Sequence, residues 1–101
     1  MKFLVHVSMP NEPFNSYVKD GSVGAKIQKI LGEIKPESIH FAEYGGQRGA
    51  VMVVNMEDSS RIPAIAEPFF LVFDADVEFH AAMTLEDLAK SGLDGLGKKW
   101  A

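Results

Sequence analysis

Three histidines and one glutamate are the side chains of this chain best suited to moving a proton. His6, His40 and His80 are its only histidines, and Glu78 stands two residues before His80. Histidine exchanges a proton near neutral pH, and a neighbouring carboxylate makes it a reasonable general base. In an extended segment a spacing of two puts both side chains on the same side. The run from Asp74 to Ala82 reads that way: Val77, Phe79 and Ala81 go to one face, Glu78 and His80 to the other. His80, His6 and Glu78 are therefore the candidate catalytic residues, with His80 first among them. The competing reading makes them polar residues at a wet edge or in a subunit contact, because unaligned clusters are weak site signals. Tyr44, His40 and Arg48 form a second group, candidates for ligand binding. Tyr44 and Arg48 flank Gly45-Gly46, where an exposed aromatic and a solvated arginine are also ordinary.

Composition removes several classes of chemistry. Cysteine is absent among the 101 residues, so disulfides, thiolate nucleophiles and Cys-based zinc or iron–sulfur sites are excluded. The net charge of −4 argues against a nucleic-acid surface, which needs a clustered basic stripe. Lys26, Lys29 and Lys35 make up one helix face, and Lys98-Lys99 is a terminal pair. Gly21 and Gly24 follow no strand, and no Gly-Lys-Ser or Gly-Lys-Thr occurs, so a phosphate loop is not indicated. No apolar run approaches the roughly 20 residues that span a bilayer. The chain begins directly on a short strand-like run rather than a signal sequence. The expected setting is cytoplasmic, with no membrane partner.

The elements that must position these residues follow from periodicity. Lys2 to Ser8 alternates as a first strand, with Phe3, Val5 and Val7 on one face and Leu4, His6 and Ser8 on the other. Met9-Pro10-Asn11-Glu12-Pro13 ends it and opens a helix, with Pro13 tolerated in the first turn. A 3.6-residue apolar stripe runs through Phe14, Tyr17, Val18, Val23, Ile27, Ile30, Leu31 and Ile34. It slips out of phase at Asp20-Gly21-Ser22, which predicts a kink or two helices with Ser22 capping the second. Glu37 to Tyr44 and Gln47 to Met56 are the second and third strands, joined by a two-residue Gly45-Gly46 turn. That turn length sets Tyr44 opposite Gln47, Glu43 opposite Arg48, Ala42 opposite Gly49 and His40 opposite Val51. Asp58, Ser59 or Ser60 caps a helix from Ile62 to Val72, which Pro68 should bend. Thr84-Leu85-Glu86-Asp87 reads as a capping box with Asp in the last place, opening a helical tail.

Strand, helix, strand, strand, helix, strand is the ferredoxin-like βαββαβ order of an α+β protein. Right-handed crossovers then give a four-stranded antiparallel sheet in the order 4-1-3-2, with both main helices on one face. The expected organisation is one domain over 1–101, with a core over 1–83 and a C-terminal helical extension over 84–101. The helices should cover Phe3, Val5, Val7, Ile39, Phe41, Ala50, Met52, Val77 and Phe79. The other face carries Leu4, His6, Ser8, His40, Ala42, Tyr44, Gly49, Val51, Val53, Glu78, His80 and Ala82. About half of it is apolar, too much to leave wet, and a second copy of the same face is the simplest cover. His40 lies two strands from His6, about 10 Å at ~4.8 Å per strand, too far for shared metal ligation. No metal is expected.

The chain resembles the dimeric α+β barrel superfamily, in which two ferredoxin-like protomers close a barrel around two clefts. Glu67-Pro68-Phe69-Phe70 followed by Asp76-Val77-Glu78-Phe79 is similar to the muconolactone isomerase type and to a group of small uncharacterised bacterial proteins. The resemblance implies the fold and a homodimer through the open face. It carries over no active-site residue. Its relatives include cofactor-free monooxygenases, isomerases and haem-handling enzymes, and no cofactor is expected here.

Two functions follow as expectations. The leading one is a small-molecule-binding or interaction module with a cleft on the open face. The alternative is a cofactor-independent isomerase or monooxygenase acting on a compact organic acid or enol through histidine acid–base chemistry. An enclosed pocket lined by His80 would favour the enzyme. A space filled by Leu4, Val51 and Val53 would favour a sealed interface.

Overall fold

The computed structural model describes all 101 residues. In chain order the elements are β1 (Lys2–Met9), α1 (Asn11–Asp20), α2 (Val23–Ile34), β2 (Ser38–Tyr44), β3 (Gln47–Asn55), a 3₁₀ turn (Ser59–Arg61), α3 (Ile62–Phe73), β4 (Asp76–Ala82), α4 (Leu85–Lys90) and α5 (Leu93–Lys99). The four strands form one sheet in the order β2-β3-β1-β4, and every neighbouring pair is antiparallel. This is the ferredoxin-like α+β arrangement that the order of elements predicts.

Local chemistry sets the boundaries. The apolar stripe breaks where Gly21 takes a left-handed φ of 80°, so α1 and α2 are separate helices. Ser22 makes no side-chain cap; the Asp20 carboxylate instead accepts from the Ser22 N–H at 2.8 Å. Glu12 is extended rather than helical, as a residue before proline prefers, and its carboxylate accepts the Ser16 hydroxyl at 2.6 Å. Gly45 and Gly46 both have positive φ, the requirement of a two-residue hairpin turn. The register follows as counted, from Tyr44 opposite Gln47 to His40 opposite Val51. Asp58 caps the 3₁₀ turn before α3, and α3 continues through Pro68 to Phe73. The capping box at Thr84 and Asp87 is made in both directions, each bond 3.0 Å.

The core lies between the sheet and one helix layer. Val5, Val7 and Met9 of β1 and Ala50, Met52 and Val54 of β3 meet Ile65, Phe69 and Phe73 of α3 and Ile30 of α2. Phe73 is fully buried, with the rings of Phe14 and Tyr17 at 5.4 and 5.7 Å. The Tyr17 hydroxyl donates to the Val72 carbonyl at 2.9 Å and ties α1 to the last turn of α3. Phe41 departs from expectation. It sits on the helix side of the sheet, yet it is 57% exposed because the helices stop short of edge strand β2. Glu43 and Arg48 also face each other without forming an ion pair. The tail helices α4 and α5 bury no residue. No helix is long and apolar enough to cross a membrane.

Candidate functional site

The open face of the sheet presents a cavity of about 240 Å³ near the ends of β1 and β4. His6 lines it from β1, an inner strand of the sheet. Across the ladder His6 faces Glu78 on one side and Val51 on the other. Ala42 and Val51 give an apolar floor, while His6, Ser8, Tyr44, Asp76 and Glu78 supply polar groups. Ser8 donates to the Gln47 side chain at 2.8 Å and is thereby oriented.

Tyr44 reaches this site from two strands away, and Gly49 is the reason. Gly49 lies on β3 between Ser8 of β1 and Ala42 of β2, and it is buried. A Cβ there would stand 3.0 Å from the Ala42 and Val7 carbonyl oxygens and 3.5 Å from the Tyr44 Cβ. With that atom missing, the Tyr44 ring crosses β3 and meets the His6 ring edge-on at 5.4 Å between centroids. His80 approaches His6 from the far side, also edge-on, at 5.8 Å. His6 is half-buried between two aromatic edges, a placement that fixes its ring plane and leaves its nitrogens to a ligand or a carboxylate.

Each residue singled out in the sequence has a definite place. His6 and Glu78 line the cavity, and Tyr44 closes one side of it. His80 stands at the rim and does not line it; its Nε2 is 3.4 Å from the Glu78 carboxylate. His6 and His80 touch through ring edges rather than a hydrogen bond. His40 lies exposed on β2 opposite Val51 and takes no part in the cavity. Arg48 points to the helix side, where its Nη1 donates to Asn15 at 2.8 Å and its guanidinium lies 4.3 Å from the Phe14 ring centre. No three His, Asp or Glu side chains converge as a metal site.

Two contributors escaped the sequence reading. Asp76 lines the cavity opposite Ser8, and its signal was the alternation Asp76, Glu78, His80 along one strand face. Gly49 has the usual signal of a glycine inside a strand, a close approach by another chain segment. The carboxylates held below their ordinary range are all elsewhere. Asp20 and Asp58 are lowered by the hydroxyl of the serine two residues on, Asp87 by the Thr84 N–H, and Glu37 by Lys2.

No protein-family model matches the chain, and no curated protein matches it either. Among solved structures it is similar to the 5-chloro-2-hydroxyhydroquinone dehydrochlorinase of Burkholderia phenoliruptrix, solved in complex with 2,5-dihydroxybenzoquinone. That likeness has a TM-score of 0.57 at 15% identity and covers 86% of this chain and 99% of that one. Fainter likenesses are to the de novo designed protein Ferredog-Diesel and to a protein from Agrobacterium tumefaciens. The designed protein has a TM-score of 0.47 at 9% identity, over 80% of this chain and 85% of its own. The Agrobacterium protein has a TM-score of 0.39 at 17% identity, over 84% of this chain and 96% of its own. What the dehydrochlorinase shares with this chain is the fold, a small ferredoxin-like α+β protein.

Proposed function

We propose that the protein binds a compact hydroxylated ring, phenolic or enolic, in the cavity around His6. The observation that carries this reading is a half-buried histidine lining a small cavity, set between Tyr44 and His80 and facing Glu78. Pockets for drug-sized ligands run from roughly 300 to 1,000 Å³. A cavity of about 240 Å³ suits one substituted six-membered ring. Asp76 and Glu78 place two carboxylates at its wall, which repel a ligand carboxylate and accept hydrogen bonds from ring hydroxyls. Tyr44 and the apolar floor meet the ring itself. The dehydrochlorinase of similar fold, with a dihydroxybenzoquinone bound, supports this ligand class.

The assembly that completes the cleft is a cytoplasmic homodimer joined through the open sheet face, of the muconolactone-isomerase-like kind. Leu4, 38% exposed on an inner strand, supports that cover. One feature favours a second, catalytic reading: His6 stands directly across the ladder from Glu78, as a proton-accepting histidine with a carboxylate partner would. In that reading His6 takes a hydroxyl or ring C–H proton from an enolisable substrate without a cofactor.

The test is a thermal-shift series with 2,5-dihydroxybenzoquinone, hydroquinone and benzoate. A ligand at ~100 times its dissociation constant stabilises by about 2.7 kcal/mol, a shift on the order of 10 °C for a chain of this size. The hydroxylated rings should shift the melt and benzoate should not. His6→Ala should erase the shift and His80→Ala should reduce it. A His6→Ala protein that keeps the full shift sinks the reading. Solvent deuterium entering a bound enolisable ring, and failing to do so with His6→Ala, would separate catalysis from binding.

A further inference from the structure

A larger cleft, about 610 Å³, lies on the other side of the same hairpin, between edge strand β2 and the start of α1. Three features of it stand out. Phe41 is more than half exposed there, beside Phe14 and Met9, so the cleft has an apolar wall. Arg48 is pinned by Asn15 and by the Phe14 ring, yet no carboxylate pairs with it. Glu43 stands directly opposite Arg48 in register and turns instead toward the turn, where it accepts the Gly46 N–H at 3.1 Å.

Opposite charges at facing cross-strand positions ordinarily attract and pair. Here each is held apart from the other by a different partner, and the cleft opens between them. A guanidinium fixed by stacking and one hydrogen bond keeps its remaining N–H donors aimed and loses little freedom on binding a carboxylate. A carboxylate facing the same cleft meets an ammonium. The apolar wall meets a hydrophobic body.

We propose that this cleft binds the zwitterion of an apolar α-amino acid, with its carboxylate on Arg48, its ammonium on Glu43 and its side chain against Phe41. The site is distinct from the cavity around His6, with which it shares only Ala42 among its lining residues.

The experiment is calorimetric titration of the unaltered protein with L-phenylalanine, 3-phenylpropionate and phenethylamine. The last two each lack one charged group. L-Phenylalanine should bind saturably, and each half-ligand should bind at least tenfold more weakly, as loss of one charge-assisted contact requires. Arg48→Gln should bring L-phenylalanine down to the level of phenethylamine, and Glu43→Gln should bring it down to 3-phenylpropionate. His6→Ala should leave L-phenylalanine binding unchanged. No saturable binding, equal binding of all three compounds, or binding untouched by both variants overturns the proposal. The comparison of the three compounds uses the unaltered chain, so it decides the matter even if a variant folds poorly.

Discussion

Consecutive residues of β1 live in two different environments. Val5 and Val7 are 0% and 2% exposed beneath the helix layer, while Leu4, His6 and Ser8, which alternate with them, face the open side. One face of the sheet is finished by the helix layer; the other is left open. The finished face is specified by volume: large apolar side chains from three directions leave no freedom in how they fit. The open face is specified by chemistry: polar groups are spaced around a small cavity whose floor is apolar. Residues of the first face decide whether the chain folds, and residues of the second carry the proposed binding site.

The largest effect belongs to the finished face. Phe73 is fully buried against Phe14 and Tyr17, and truncation would leave a cavity that a close-packed layer cannot fill. Phe73→Ala should cost about 3–5 kcal/mol, read from the denaturant midpoint at unchanged slope. A cost under 1 kcal/mol would mean that the helix layer is not the stabilising face.

Gly49 tests the border between the two. Its backbone needs no positive φ, so alanine there is not strained by conformation. The obstacle is contact. Both carbonyl oxygens 3.0 Å from the missing Cβ belong to strands held by their own ladders, and neither can step aside cheaply. Gly49→Ala should cost about 1–3 kcal/mol and push Tyr44 off His6, weakening ring binding together with stability. If Gly49→Ala leaves both intact, the notch is incidental.

The open face should answer to charge rather than volume. Leu4→Glu, placed opposite His80 and Val53, should change the stability of the isolated chain by under about 1 kcal/mol, because the site is already part wet. It should still halve the particle mass in light scattering, from about twice 11.1 kDa to one chain. A parent protein that runs as a monomer at micromolar concentration would remove the dimer altogether.

Much of this was legible in the sequence, and the reasons differ by region. Alternation in Lys2 to Ser8 and the two glycines of the hairpin sufficed for the sheet order and for the register of β2 on β3. Local rules apply wherever one face is greasy and one turn is short. The same rules put His6, Glu78 and Tyr44 on one face. They could not show that His80 would stand outside the cavity that His6 and Glu78 line, because parity gives the face of the sheet and not the shape of a cavity on it. Nor could they show Arg48 turned to Asn15 and Phe14. That orientation arises from a contact 33 residues distant in sequence, which no periodicity encodes. Phe41 was misplaced for a related reason: parity gives the face of the sheet, but not how far the helices extend over it.

The smallest effect concerns the end of the sheet away from the cavity, where Lys2, Glu37 and Asn55 meet. Lys2 Nζ approaches the Glu37 carboxylate at 2.6 Å, and Asn55 donates to the same group. Lys2 holds the Glu37 carboxyl below the ordinary glutamate value of 4.5, with Asn55 assisting. The sign of the linkage follows. A carboxyl whose folded pKa is depressed contributes stability that is present above its unfolded pKa and lost as pH falls through the folded one. Glu37→Gln should therefore weaken the fold slightly at pH 7 and flatten the decline in stability below about pH 4.5. The site is exposed, so salt should erase most of the difference. Ligand binding at His6 should be unchanged in this variant, since no cavity residue touches Glu37. An acid limb identical in Glu37→Gln and parent would show that the Lys2 contact contributes nothing to folding. Altered ring binding would show instead that the two ends of the sheet are not independent.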